Sequence, residues 1–257
     1  MNIDERLEEF QKALEKYMHL LKGGKVDVGK AIMVERVELE IMKMLENVDV
    51  DANSSLETVL RKLSDNGVLE EVLDYAGEKL GDPVEDPNAA LESFLKGDIE
   101  QPGAKAALVA VQAIARWLAD KRLESGVEER ISPYCPVCGA ESRTMVVEKD
   151  GYYMVCTFCS YKWRISRTGT MICPYCGSSD PIAIGVFTDR RRRLGLFVCQ
   201  NCGSTWRAIL DRNIRAPRIL LPVIALGAEA FRGYLERSIS LEGGGGDSSH
   251  TGLEEGQ

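Results

Sequence analysis

All eight cysteines of this 257-residue chain fall between positions 135 and 202, as four Cys-x-x-Cys pairs with none left over. A disulfide framework would scatter its cysteines to staple distant loops, whereas metal ligation gathers them at short spacing. Two such pairs supply four thiolates to one tetrahedral site, which suits zinc or a single iron. The segment "CPVCG" at 135–139 returns as "CPYCG" at 173–177. Aligned, Cys135, Cys138, Cys156, Cys159 and Trp163-Arg164 correspond to Cys173, Cys176, Cys199, Cys202 and Trp206-Arg207, and the difference in length is confined to the hairpin turn. One period of a repeat is one supersecondary unit, so sequential pairing is favoured over an interleaved arrangement of the four pairs. Units of about 40 residues bury too little apolar area to fold unaided. Metal binding, on the order of 10 kcal/mol for structural zinc peptides, is expected to supply the difference. That accounts for folding and leaves the function open.

Each Cys-x-x-Cys loop must turn sharply enough for both sulfurs to face one point, with backbone N–H groups available to the thiolates. Gly139, Gly177 and Gly203 follow their pairs where a positive φ is commonly needed, and Ser160 breaks the pattern. Between the pairs, "RTMVVE" and "YYMVC" flank Asp150-Gly151, a strong hairpin signal. In the second copy "PIAIGVF" and "LGLFVC" flank an arginine-rich turn, and Ile182, Ile184 and Val186 alternate as a half-buried strand should.

The first half reads as helices. Asn2 and Glu5 can form a capping box, Leu7, Phe10, Leu14, Tyr17, Met18 and Leu21 mark one buried face, and Gly23-Gly24 ends the segment. Similar segments follow at about 28–46, 55–65, 68–80 and 88–96. The longest, opened by Pro102 and closed by Gly126, is apolar nearly all round and is expected to be the spine of the helical part. From 217 a helix resumes, with Pro222 either in its first turn or interrupting it, and a glycine-rich tail follows. Formal charge is −11 over 1–130, +6 over 131–216 and −3 over 217–257, within a net −8.

No run approaches the ~18 apolar residues of a membrane span, and the acidic start does not read as a signal peptide, so a cytoplasmic protein is expected. There is no Gly-rich phosphate loop and no Ser/His/Asp set, and no cysteine is free once eight are ligated, so an enzyme is not expected. Trp163 and Trp206 have two readings, as covers of their metal knuckles or as partner contacts. Arg190, Arg191, Arg192 and Arg193 form a hairpin tip that is either ordinary solvated charge or a grip for phosphate or an acidic partner. His19 and His250 stand near no cysteine and read as solvated bystanders.

The run "YCPVCGAESRTMVVEKDGYYMVCTFCSYKWRISRTGTMICPYCGSSD", continuing to "VCQNCGSTWRAI", resembles the formate dehydrogenase accessory protein family, FdhE. The likeness is tight over about 131–216, weaker over the preceding helix, and absent at motif level over 1–80. The resemblance implies an α+β chain with an N-terminal all-α helical domain (1–130) and two rubredoxin-like or zinc-ribbon four-cysteine domains (131–170 and 171–216); the residues beyond read as a C-terminal helix (217–240), apolar where the family's is acidic, and a disordered tail (241–257). It implies two metal ions, iron or zinc, held by Cys135, Cys138, Cys156 and Cys159 and by Cys173, Cys176, Cys199 and Cys202. It also implies a non-catalytic maturation factor whose partner is the catalytic subunit of a formate dehydrogenase or related molybdenum or tungsten oxidoreductase. The alternative is a zinc-ribbon protein that binds nucleic acid or the transcription machinery, against which the overall acidity counts. A third class is rubredoxin-like electron transfer.

Overall fold

In the computed structural model, which describes residues 2–20, 27–167 and 169–233, the helical half starts its helices as the sequence suggests. Asn2, Asp27, Ser55 and Asp86 each turn a side-chain oxygen onto backbone N–H groups at the starts of α1 (Ile3–Tyr17), α2 (Val28–Met44), α3 (Leu56–Asp65) and α5 (Pro87–Lys96). A short 3-10 turn, Met18–Leu20, follows α1, while Leu21 and the Gly23-Gly24 stop lie outside the described residues. α4 (Val68–Leu80) ends on Gly81 in the left-handed conformation.

The spine is α6 (Ala104–Glu124), which packs against α2, α3, α4 and α5 and buries most of its central residues, Val111, Ile114 and Leu118 among them. Its first turn has no local side-chain cap. Asp82, from the loop after α4, supplies one instead, its carboxylate accepting from the N–H groups of Gly103, Lys105 and Ala106 at 3.0–3.1 Å. A carboxylate at this end also complements the helix dipole.

Where α2 crosses α6, three charges are buried together. Arg116 donates through both terminal nitrogens to Glu35 at 2.8 and 2.9 Å, and also to Glu38. The three residues are 5%, 5% and 3% exposed, respectively. Burial pushes the Glu38 carboxyl up to about 7 although Arg116 opposes the shift. The proton is therefore bound more tightly in the folded chain than in the unfolded one. The associated stability is complete below the ordinary carboxylate range and is lost as pH rises through about 7. Between pH 5.5 and 8 the protein is expected to lose roughly 2 kcal/mol from this group, and Glu38→Gln to flatten that slope. Urea unfolding across the range, with metal content checked at each pH, measures it.

Beyond residue 130 the chain builds one sheet from both copies. β1 (Thr144–Val147), β2 (Gly151–Val155) and β3 (Lys162–Arg167) form an antiparallel meander, as do β4 (Ile184–Thr188), β5 (Leu194–Cys199) and β6 (Thr205–Ile209). The hairpin between β1 and β2 turns at Lys149-Asp150, one residue before the expected Asp150-Gly151: Glu148 N–H donates to Gly151 O at 2.9 Å, and Gly151 already belongs to β2, where a side chain would collide with the Ser166 carbonyl oxygen. The meanders join in parallel through β1 and β6, Thr144 opposite Arg207 and Val146 opposite Ile209, giving the order β3-β2-β1-β6-β5-β4.

The two outer edges differ. Along β3 the segment 128–130 lies as a parallel strap, Arg164 N–H donating to Glu128 O at 2.8 Å and Arg130 N–H to Arg164 O at 2.9 Å. It takes the seat that Arg143-Thr144 takes beside the equivalent residue of the second copy, where Arg207 N–H donates to Arg143 O at 2.8 Å. No described residue pairs with the outer edge of β4. The expected alternation needs correction at two of its three positions: Ile182 precedes the strand and is 84% exposed, Val186 is exposed as well, and Ile184 alone packs against the core. Asp180 turns the chain first, its carboxylate accepting from Ile182 N–H at 2.9 Å and its carbonyl from Ala183 N–H at 3.1 Å.

One face of the sheet shares a continuous apolar core with the helical half, Trp163, Trp206, Met145 and Met154 joining Leu39, Ile114 and Leu118. The other face carries Val146, Leu196 and Ile209 against Phe10 and Leu14 of α1, α7 (Leu220–Ala225) and the 3-10 segment Leu226–Phe231. Pro222 sits in the first turn of α7, where its missing N–H costs nothing. The rest of the expected C-terminal helix and the whole of the expected tail lie outside the described residues.

Candidate metal centres

Four loops of one design carry the cysteines. In each, the first cysteine's carbonyl accepts from the N–H four residues on, and its N–H donates to the carbonyl five residues on. The donors to Cys135, Cys156, Cys173 and Cys199 are Gly139, Ser160, Gly177 and Gly203, and the corresponding acceptors are Ala140, Tyr161, Ser178 and Ser204, all at 2.7–3.1 Å. The fourth residue must adopt a positive φ, and it does: 75° at Gly139, 60° at Ser160, 75° at Gly177 and 72° at Gly203. Ser160 thus fills the glycine position at a steric cost, and its buried hydroxyl has no hydrogen-bond partner. Ser160→Gly is expected to stabilise the protein by about 1 kcal/mol, read as a higher urea midpoint at unchanged slope.

The loops meet in sequential pairs. Cys135, Cys138, Cys156 and Cys159 converge in one group and Cys173, Cys176, Cys199 and Cys202 in a second, the sulfurs of each group lying within 4.8 Å of one another. The nearest approaches are 3.5 Å in the first group and 3.7 Å in the second. A tetrahedron of sulfurs about 2.3 Å from a central ion has edges of about 3.8 Å, so both groups fit a metal ion. Backbone N–H groups of Phe158 and Cys159 donate to the Cys156 sulfur at 3.3 and 3.4 Å, the support a thiolate ligand needs. Each group could hold one ion.

The environments differ. Cys156 and Cys159 are 0% and 1% exposed, whereas Cys176 and Cys202 of the second group are open to solvent. Burial raises the Cys159 thiol well above its ordinary value, while hydrogen bonds from Cys135 and Cys138 hold Cys156 far below it. In the second group burial is the main cause that pushes Cys173 up to about 12. At Cys202 burial acts upward too, but hydrogen bonds from Ser204 and the neighbouring thiols outweigh it and bring the thiol down to about 7. An incoming ion must displace the protons of the raised thiols, so retention of metal weakens as pH falls.

The other residues singled out by the sequence fall in different places. Trp163 and Trp206 are 0% and 1% exposed and lie in the core that the sheet shares with the helical half. Trp163 donates to Ser132 O at 3.0 Å and stacks on Tyr161; Trp206 stacks on Phe197 at 5.5 Å. Arg190, Arg191 and Arg192 are exposed at the β4–β5 tip. Arg193 is turned inward, paired with Asp189 at 3.0 Å and within 3.1 Å of His19 Nε2, so it and His19 fasten the hairpin to the end of α1. His19 is thereby a structural contact and not a bystander, and His250 lies outside the described residues. Sequence reading missed a cationic cleft of about 870 Å³ between α1, the β1–β2 hairpin and the loop before α7, which gathers Lys12, Lys16, Lys149, Arg212 and Arg215 from three separate stretches.

No protein-family model matches the chain, and no curated protein sequence matches it significantly. Among solved structures, the crystal structure of the FdhE protein from Pseudomonas aeruginosa superposes with a TM-score of 0.51 at 17% sequence identity. The match covers 90% of this chain and 92% of that one, so it takes in the helical half and the cysteine region together. With a helical half, a sheet carrying two four-cysteine groups and a C-terminal helix, the chain is FdhE-like in fold.

Proposed function

We propose that this chain is a non-catalytic accessory factor, held in shape by two metal ions, that docks on the catalytic subunit of a formate dehydrogenase or a related molybdenum or tungsten oxidoreductase during its maturation. The observation that carries this reading is the extent of the fold likeness, 90% of one chain on 92% of the other, helices and both four-cysteine groups included. The architecture agrees with it. Five of the eight cysteines that would hold the metals are buried, and so is the tryptophan that follows each copy. Zinc or iron bound there would act by fixing the loops, with Arg190, Arg191 and Arg192 left as contact candidates on the surface.

The test is anaerobic affinity purification of the tagged chain from its own host, with co-purifying proteins identified and metals counted in the same fraction. Recovery of a formate dehydrogenase-type catalytic subunit, lost in Cys138→Ser and Cys176→Ser, is the expected result. Recovery of RNA polymerase, ribosomal components or nucleic acid in its place would overturn it in favour of a nucleic-acid role. The electron-transfer reading would require a reversible one-electron couple in the iron-loaded protein.

A further inference from the structure

The bare edge of β4 is a self-complementary surface, and we infer that two copies of this chain pair there, β4 against β4 and antiparallel, to form a twofold dimer with a continuous sheet. The argument begins with the hydrogen-bond pattern. Ala183 O accepts from the N–H of Gln200, the residue just after β5, at 2.8 Å, and β4 runs antiparallel to β5 with Gly185 opposite Val198 and Phe187 opposite Leu196. In an antiparallel pair a residue's N–H and C=O point to the same side and alternate along the strand. Residues 183, 185 and 187 therefore face β5, and Ile184, Val186 and Thr188 turn their backbone groups outward.

A second β4 set antiparallel with Val186 opposite Val186 places Ile184 opposite Thr188 in both directions. All the outward groups then meet outward groups, giving about six backbone hydrogen bonds. The same register brings the Arg190–Arg192 tip of each copy beside the Asp180–Ile182 turn of the other, so an exposed cationic run meets an exposed carboxylate twice. It also covers Val186, which is 47% exposed, and Ile182, which is 84% exposed.

The opposite edge says why the pairing closes instead of running on. A head-to-tail association would need an open β3, and the 128–130 strap already sits there. Only the self-complementary arrangement remains for this surface, and an interface of that kind closes at two subunits. Edge strands that stay unpaired are normally guarded by a bulge, a proline or an inward charge. β4 pairs with β5 in unbroken register and contains neither proline nor charge.

The metal-loaded chain, purified on its own, is examined by analytical ultracentrifugation over a concentration series, with amide exchange read at Ile184, Val186 and Thr188. A dimer whose dissociation protects and deprotects those amides with concentration is expected. Val186→Pro removes one outward donor from each copy and is expected to weaken the dimer ~10- to 100-fold, with two metals per chain showing that the sheet is intact. Asp180→Arg should weaken it as well. So should Arg190→Asp, Arg191→Asp and Arg192→Asp made together, and mixing these two reversed chains should restore a heterodimer. A monomer up to ~100 µM would overturn the inference, ~100 µM being tenfold above the Kd of a weak micromolar dimer. So would a dimer indifferent to all three variants, or β4 amides protected only when the oxidoreductase subunit is added.

Discussion

Cys156→Ser is expected to remove one metal per chain and with it the folded state of the cysteine region, leaving protein that is insoluble or that retains only the helical half. The sulfur lost is fully buried, accepts two backbone N–H groups, and belongs to the group whose loops touch α6. Gln112 of α6 donates to Phe158 O at 3.0 Å, and Phe94 stacks on Phe158. Loss of a structural ion costs on the order of 10 kcal/mol, comparable to the ~5–15 kcal/mol of an entire domain. Cys202→Ser removes an exposed ligand of the second group, and its effect should be milder. One metal should remain, and Trp163 should stay buried by fluorescence quenching, because β4–β6 are still held by β1 on one side and by the 3-10 segment Leu226–Phe231 on their face. A chelator should strip the second group faster than the first for the same reason of access. Metal counts by plasma mass spectrometry decide it: two ions retained in Cys156→Ser, or equal release rates, would contradict the assignment of the first group as the inner one.

Arg116→Met is expected to destabilise the protein by about 3–5 kcal/mol, since it strands Glu35 and Glu38 in the core without a counter-charge. The loss should be largest at alkaline pH, where Glu38 must ionise, and smaller near pH 5, where its protonation relieves the cluster. Glu35→Gln and Glu38→Gln added to Arg116→Met should recover much of the stability, because what is costly is the unpaired charge and not the missing salt bridge. Urea denaturation of the parent, Arg116→Met and the triple variant at pH 5.5 and 8 measures this. An Arg116→Met variant as stable as the parent at pH 8 would show that water reaches the cluster.

The cysteine spacing made the knuckles readable in advance, along with the glycine position that Ser160 usurps, because both are dictated within a loop of six residues, and the repeat made their sequential pairing readable. Helix starts were readable for the same local reason. What escaped were contacts between distant stretches. Asp82 caps a helix that begins 22 residues later, and Glu35, Glu38 and Arg116 are charged residues on helix faces that look solvent-exposed by composition. Two tandem hairpins give no sign that their first and last strands will pair in parallel, because that pairing depends on which edges are left free once each copy has folded. Ile182 was misplaced for a local reason instead, since Asp180 turns the chain before the strand begins.

The parallel seam between β1 and β6 also sets a timetable for synthesis. Thr144 and its neighbour Arg207 are about 60 residues apart in the chain, so at ~5–20 residues per second a ribosome delivers the second roughly 3–12 s after the first. During that interval the first copy can take its metal and close its own loops, yet its β1 edge stands uncovered. Nascent chains in a crowded polysome are thus exposed to mispairing at this one strand for seconds, and a cell short of the metal would lengthen the interval at both ends.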